Sequence, residues 1–124
     1  MTEPQAHLYR WHDVASEQLS PTIARRVIMT DRVTLAQFEL DAGAIVATHS
    51  HEQEQLTYIE QGLLRLWLGA DDSQVHDLAA GEVLHIPSNL PHRAEAIEAT
   101  RATDVFSPRR EDWLDGMDSY LRGR

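Results

Sequence analysis

His49 and His51 stand two residues apart in the run Gly43-Ala44-Ile45-Val46-Ala47-Thr48-His49-Ser50-His51-Glu52-Gln53-Glu54-Gln55. On a β-strand that spacing turns both imidazoles to one face. Two neutral imidazoles on an inward face are half of a transition-metal site, because imidazole is a ligand common to Zn, Ni, Fe and Cu. Gln55 follows four residues after His51 and returns to the same face if extended pairing resumes. About 40 residues further on, after Gly81 and Pro87, His92 can bring in a third imidazole from another strand. The remaining histidines have plainer expectations: His85 and His76 as satisfied core residues, His7 and His12 as solvated ones.

A second group with chemical potential is Asp104-Val105-Phe106-Ser107-Pro108-Arg109-Arg110-Glu111-Asp112-Trp113-Leu114. Asp104 and Phe106 share a strand face by alternation. If that face opens on a metal cavity, it supplies a carboxylate able to act as general base and an aromatic wall. Arg110 then stands near the rim, where a guanidinium can grip a carboxylate by two parallel hydrogen bonds. The competing reading places Asp104 on the exterior, paired with Arg101 or Arg93, and leaves Arg109 and Arg110 as solvated charges.

These side chains need a scaffold that brings distant segments together. The chain offers many short segments separated by turn residues. Val33 to Leu40 is apolar and β-branched, and Asp41-Ala42-Gly43 turns it. Ala44 to Thr48 and Gln55 to Ile59 read as strands, the latter closed by Glu60-Gln61-Gly62. Leu64, Leu66 and Leu68 alternate with Arg65 and Trp67, so one face is buried. Gly69 to Ser73 reads as a hairpin loop, Val75 to Leu78 and Glu82 to Ile86 as strands, and Arg93 to Phe106 as one or two more. Tyr9, Trp11 and Val14 suggest an edge strand, and Ile23 to Met29 another. Strands this short, with turns every 8–12 residues, are the pattern of an all-β sandwich or barrel. The tail differs: Ser107-Pro108 is a helix start. Trp113, Leu114, Met117, Tyr120 and Leu121 recur at helical spacing, which predicts one packed stripe on a helix over about 108–122.

The whole-chain arithmetic narrows the classes. With 124 residues, 42% apolar and 25% charged, residues 1–124 fit a single globular domain. There is no cysteine, which removes disulfides, thiolate nucleophiles and every Cys-containing metal site. The formal charge of −9 argues against a nucleic-acid partner, which wants a basic face. No apolar run approaches the ~20 residues of a membrane-spanning helix, so no membrane partner is expected. Met1 to Gln5 lacks the basic-then-apolar pattern of an export signal, which makes a cytoplasmic location the expectation.

The spacing of the histidines resembles the two motifs of the cupin superfamily. The first runs Gly, five residues, His-x-His, three or four residues, an acid, six residues, Gly. Gly43, His49, His51, Gln55 and Gly62 stand at those positions. The second runs Gly, five residues, Pro-x-Gly, two residues, His, three residues, Asn. Gly81, Pro87 and His92 match it, while Asn89 replaces a Gly and Ala96 an Asn. Asn tolerates left-handed backbone angles, so the turn at 89 survives. Together the motifs span residues 43 to 96. The resemblance implies an all-β double-stranded β-helix, a jelly-roll barrel, with a short C-terminal helix.

Within that superfamily, Asp-Val-Phe-Ser-Pro followed by Arg and Asp-Trp-Leu, with Gln in the first motif, is similar to the KdgF cupins of pectin and alginate degradation. The similarity extends loosely upstream through Trp11 to Val14 and Arg25-Arg26-Val27. It implies a divalent metal held by His49, His51, Gln55 and His92, with Ni, Zn, Fe, Mn and Co all compatible. It implies Asp104 as base, Phe106 as the aromatic of the substrate pocket and Arg110 as a substrate contact. The implied activity converts 4,5-unsaturated uronate monosaccharides to linear ketonised sugars. A neutral amide leaves the full 2+ charge on the ion, which favours polarising an anionic substrate over activating oxygen. The alternatives are a metal-dependent dioxygenase built on the same histidines and a non-catalytic sugar- or metal-binding module. Small cupins often pair through sheet edges, so a homodimer is expected.

Overall fold

The computed structural model describes residues 2–123. Among the described residues ten strands are joined by short turns: β1 Glu17–Ser20, β2 Ile23–Met29, β3 Thr34–Leu40, β4 Ile45–His49, β5 Glu54–Gln61, β6 Leu63–Leu68, β7 Gln74–Ala79, β8 Val83–Ile86, β9 His92–Ala96 and β10 Thr100–Ser107. They form two antiparallel sheets, β1-β2-β3-β10-β5-β8 and β4-β9-β6-β7. The expected all-β jelly roll is the fold, and among the described residues no helix is long and apolar enough to cross a membrane.

Alternation explains the core. Ala36, Phe38 and Leu40 of β3, Ile59 of β5, Leu64, Leu66 and Leu68 of β6, Ala94 and Ala96 of β9, and Ala102 of β10 all point between the sheets. Burying each large aliphatic side chain contributes about 1.5–3 kcal/mol. The same inward parity continues along β5 and β10 into polar residues, since Asp104 lies opposite Thr57 and Phe106 opposite Gln55. On the facing sheet Leu68 pairs with His92, and His92 with His49. One end of the barrel is therefore filled with hydrocarbon and the other with groups that can hold ligands.

Two turns fix how the strands meet. Gly62 joins β5 to β6 at φ +100°, and a side chain there would collide with the Ala99 carbonyl and with Thr100. Asn89 takes the left-handed conformation, φ 64°, that its place in the second motif demands. Its backbone N–H donates to the His51 carbonyl at 2.8 Å, which ties the loops of the two motifs together.

The chain departs from expectation at both ends. Trp11–Asp13 is a turn of 3₁₀-helix, and the edge strand begins later, at Glu17. The continuous helix over 108–122 is replaced by α1, Glu111–Leu114, and a 3₁₀ turn, Ser119–Leu121. β10 runs on to Ser107, and Gly116 at φ +75° turns the chain out of the helix. The break lets Asp118 reach the barrel wall, where its buried carboxylate meets Arg25 at 3.0 Å and Arg122 at 2.9 Å. Short helices are marginal by themselves, so the end of the chain follows its contacts with the barrel wall. Trp113 and Leu121 pack inward as expected, but Leu114 and Met117 are left exposed because no single helical stripe survives.

Candidate metal centre

The inward end of the barrel gathers His49, His51 and His92, whose ligand atoms all lie within 4.8 Å of one another. They get there by a route that simple alternation does not give. His49 ends β4, and a register shift between Val46 and His49 turns it inward opposite His92. His51 lies in the loop after β4, so the two histidines do not share a strand. Gln55 points inward from β5, and the neighbouring Glu54 points outward to His85 at 2.7 Å.

Each imidazole is oriented from behind. His49 Nδ1 donates to the Ala47 carbonyl at 2.8 Å, His51 Nδ1 to the Gln53 carbonyl at 3.0 Å and His92 Nδ1 to the Leu90 carbonyl at 2.8 Å. A carbonyl only accepts, so all three rings carry their proton on Nδ1 and present the Nε2 lone pair to the centre. Burial favours the neutral rings: it drives His49 down to about 3 and His51 to about 4, and lowers His92, with neighbouring imidazoles and Arg110 adding to the effect.

Two details fit a cation better than a purely structural core. His92 Nε2 is buried with no hydrogen-bond partner among the described residues, an omission that costs about 1–3 kcal/mol if nothing binds it. Gln55 Oε1 lies 3.1 Å from His51 Nε2. With the ring proton on Nδ1, these are two lone pairs facing each other. Two donors ~2.1 Å from one ion and at right angles stand about 3.0 Å apart, so the pair has the separation of joint ligands. The residues present therefore fit a divalent transition metal held by three imidazoles and one amide oxygen.

A carboxylate and a guanidinium share the cavity. Asp104 is buried, its Oδ1 has no partner among the described residues, and burial pushes its carboxyl up to about 7 against the pull of the nearby Thr57 hydroxyl and the Arg110 charge. The exterior alternative fails because Arg101 pairs with Glu60 at 3.1 Å and Arg93 with Asp72 at 3.1 Å. Phe106 is buried against His51, ring centroids 5.6 Å apart. Arg110 is not a rim residue but is 1% exposed, lying over the rings of Phe106 and Trp113. Its Nε and Nη2 form the two-bond fork with Asp112 at 3.0 and 2.7 Å, and Nη2 also donates to Tyr120 Oη at 2.8 Å. The fork expected for a ligand is thus occupied by the protein, and among the described residues only Nη1 has no partner.

Sequence reasoning did not assign Thr57, Asp112 or Tyr120 to the site. Tyr120 stacks on His49 with centroids 4.0 Å apart; its helical spacing marked it only as a packing residue. Asp112 carries no signal short of its distance to Arg110. Thr57 does share the parity of Gln55, and that was the available clue. His85 and His76, expected in the core, are exposed on outward faces of β8 and β7. The inner cavity, about 60 Å³, shares His49, Arg110 and Tyr120 with a second, outer pocket of about 310 Å³.

The titration of these groups gives a checkable consequence. Unfolded histidines take up protons near 6.5, whereas the folded rings refuse them until about 4 at His51 and about 3 at His49. The folded state binds fewer protons over that interval, so stability falls as the pH drops through it. Asp104 opposes this, since its carboxyl is protonated in the folded protein from about 7 down, above its ordinary 3.8. Three histidines outweigh one aspartate. The Tm of the metal-free protein should therefore fall from pH 6.5 toward 4, and fall more steeply in Asp104→Asn; a flat or rising Tm would contradict it.

Comparison with known proteins gives consistent relatives. Residues 36–106 match the family model described as a cupin domain. An uncharacterized protein of Streptomyces coelicolor is 26% identical over 102 residues, covering 81% of this chain and 94% of that protein. The structure of KdgF from a Halomonas species superposes with a TM-score of 0.80 at 27% identity, covering 89% of this chain and all (100%) of that one. An RmlC-like cupin from Shewanella frigidimarina superposes at 0.79 with 23% identity, over 88% of this chain and 96% of that one, and shows the shared fold.

Proposed function

The chain belongs to the cupin domain family, and from that premise we propose that it is an enzyme that opens 4,5-unsaturated uronate monosaccharides to linear ketonised sugars. The observation that carries the reading is the buried Asp104 carboxylate, one oxygen without a partner among the described residues, lining the same cavity as His49, His92 and Gln55, with His51 converging on those two imidazoles. The likeness to KdgF supports the substrate class.

His49, His51, Gln55 and His92 would hold the divalent ion. Such an ion supplies Lewis-acid polarisation of bound oxygen. Asp104 removes the proton of the anomeric hydroxyl. The freed electron pair becomes the aldehyde carbonyl as the bond between that carbon and the ring oxygen breaks. The ring oxygen leaves as an enolate across the former double bond. Asp104 returns the proton to carbon 4, and the enolate becomes the ketone. The reaction is an isomerisation and needs no oxidant. A carboxyl poised at about 7 suits both taking and returning that proton. Arg110 Nη1 offers the substrate carboxylate one charged hydrogen bond, with Asp112 and Tyr120 holding the guanidinium still. Phe106 forms an apolar wall that keeps water from the enolate.

Ultraviolet absorbance of the conjugated double bond tests this. Protein loaded with a divalent metal should bleach an unsaturated uronate without oxygen, and chelator-stripped protein should not. Unchanged absorbance together with oxygen uptake would replace the reading with a dioxygenase. Saturable binding without product would make the protein a binding module.

A further inference from the structure

Tyr120 lines both the inner cavity and the outer pocket, beside Arg110 and His49. Its ring stacks on His49 with an angle of 19° between the planes. Its oxygen accepts twice: from Arg110 Nη2 at 2.8 Å and from Trp113 Nε1 at 3.1 Å. A guanidinium and an indole nitrogen only donate, so neither can take the hydroxyl's own hydrogen. Among the described residues no carboxylate or carbonyl takes it either. The lone pairs of Oη are therefore occupied, and its hydrogen is left for a group outside the protein. Arg110 is in the same condition. Its Nε and Nη2 are committed to Asp112 and Tyr120, and Nη1 keeps its hydrogens. The two groups with hydrogens to give belong to one bonded unit. The guanidinium carbon of that unit lies 4.7 Å from the ring centre of Phe106 and 4.5 Å from that of Trp113, which fixes its place.

Free hydrogens on both groups, and no free lone pair on either, call for a ligand that only accepts. A sugar hydroxyl brings a hydrogen of its own, which would find no acceptor here. A carboxylate brings acceptors alone. We propose that the Tyr120 hydroxyl is a substrate-binding group that donates its hydrogen to the carboxylate of an acidic sugar, beside Arg110 Nη1, and so sets the preference of this pocket for acids over neutral sugars. The proposal rests on the reading of the cavity as a uronate site. Asp112 has taken the two-bond fork of Arg110, and Tyr120 supplies the second donor that the fork would have given. A neutral sugar derivative in the same place would leave donors without partners, and such a site rejects it for that reason.

The test is a calorimetric titration of Co²⁺-loaded protein with D-galacturonate, which carries the carboxylate but no double bond to react, and with its methyl ester. The wild-type protein should bind the acid at least about tenfold more tightly than the ester. Tyr120→Phe keeps the ring on His49 and removes the hydroxyl. It should weaken binding of the acid by about 10–100-fold, the range expected when one hydrogen bond to a charged group is lost. Its affinity for the ester and for Co²⁺ should stay near wild type. Replacing Tyr120 by 3-fluorotyrosine, at a pH where the phenol keeps its proton, separates donation from merely holding Arg110. Ring fluorine makes the O–H a stronger donor and the oxygen a weaker acceptor. A hydroxyl that donates to the ligand should then hold the acid as tightly as before or more so, whereas one that only accepts from Arg110 should lose affinity. The same replacement serves if Tyr120→Phe does not fold. Equal binding of acid and ester by the wild-type protein, or no binding of the acid, would overturn the proposal. So would wild-type acid affinity in Tyr120→Phe, a loss of acid affinity with 3-fluorotyrosine, or a parallel loss of Co²⁺ affinity, which would make Tyr120 a support for His49. Acid binding that depends on Tyr120, without bleaching of an unsaturated uronate, would leave this role standing and count only against the proposed reaction.

Discussion

Asp104→Asn should lower kcat for an unsaturated uronate by about 10²–10⁴-fold, the usual worth of a well-placed general base, while leaving metal affinity intact. The substitution is nearly isosteric, so the cavity keeps its shape. What it loses is the ability to take and return a proton. Steady-state kinetics should show the loss in kcat, with KM little changed, because the substrate carboxylate is met by Arg110. The folded protein should be no less stable at neutral pH. Burial already disfavours the Asp104 charge, and an uncharged amide avoids that cost. A variant with full activity would show that the base lies elsewhere.

His92→Ala should abolish activity, by at least about 10³-fold, through loss of the ion rather than of the base. His92 is the most deeply buried of the three imidazoles at 4% exposure, and its Nε2 has no other partner among the described residues. Removing it leaves two imidazoles and an amide, too few to compete with water for a divalent ion at ordinary concentrations. Thermal denaturation separates this from a failure to fold. An ion present at a hundredfold excess over its Kd stabilises the wild-type protein by about 2.7 kcal/mol, or roughly 10 °C in Tm for a chain of this size. The variant should unfold cooperatively with no such metal-dependent rise. A retained rise would show that His92 is not a ligand.

Much of this molecule is legible in its sequence. Nine of the ten strands lie where hydrophobic alternation and turn residues place them, because alternation is a local consequence of two-residue periodicity. β1 escaped, since Glu17–Ser20 has only one buried side chain to mark it. The histidines and Gln55 were legible through their spacing, even though the geometric reason was mistaken for His51, which is in a loop, and for His49, which is turned by a bulge. Long-range pairing accounts for the remaining errors. The C-terminal helix looked continuous because its apolar spacing is local, but Gly116 and the Asp118–Arg25 pair, 93 residues apart in sequence, break it. Arg110 looked free because nothing in the chain announces that Asp112 and Tyr120 occupy its fork.

By itself, then, the sequence determined the strand pattern, the barrel class and the identity of the four candidate ligands, since residue type and spacing are carried by the chain. Tertiary structure alone decided which lone pairs face one another, which carboxylate is left without a partner and which guanidinium atom is still free. Those properties depend on distances between strands remote in sequence. No periodicity encodes them, because a hydrogen bond forms or fails over fractions of an ångström.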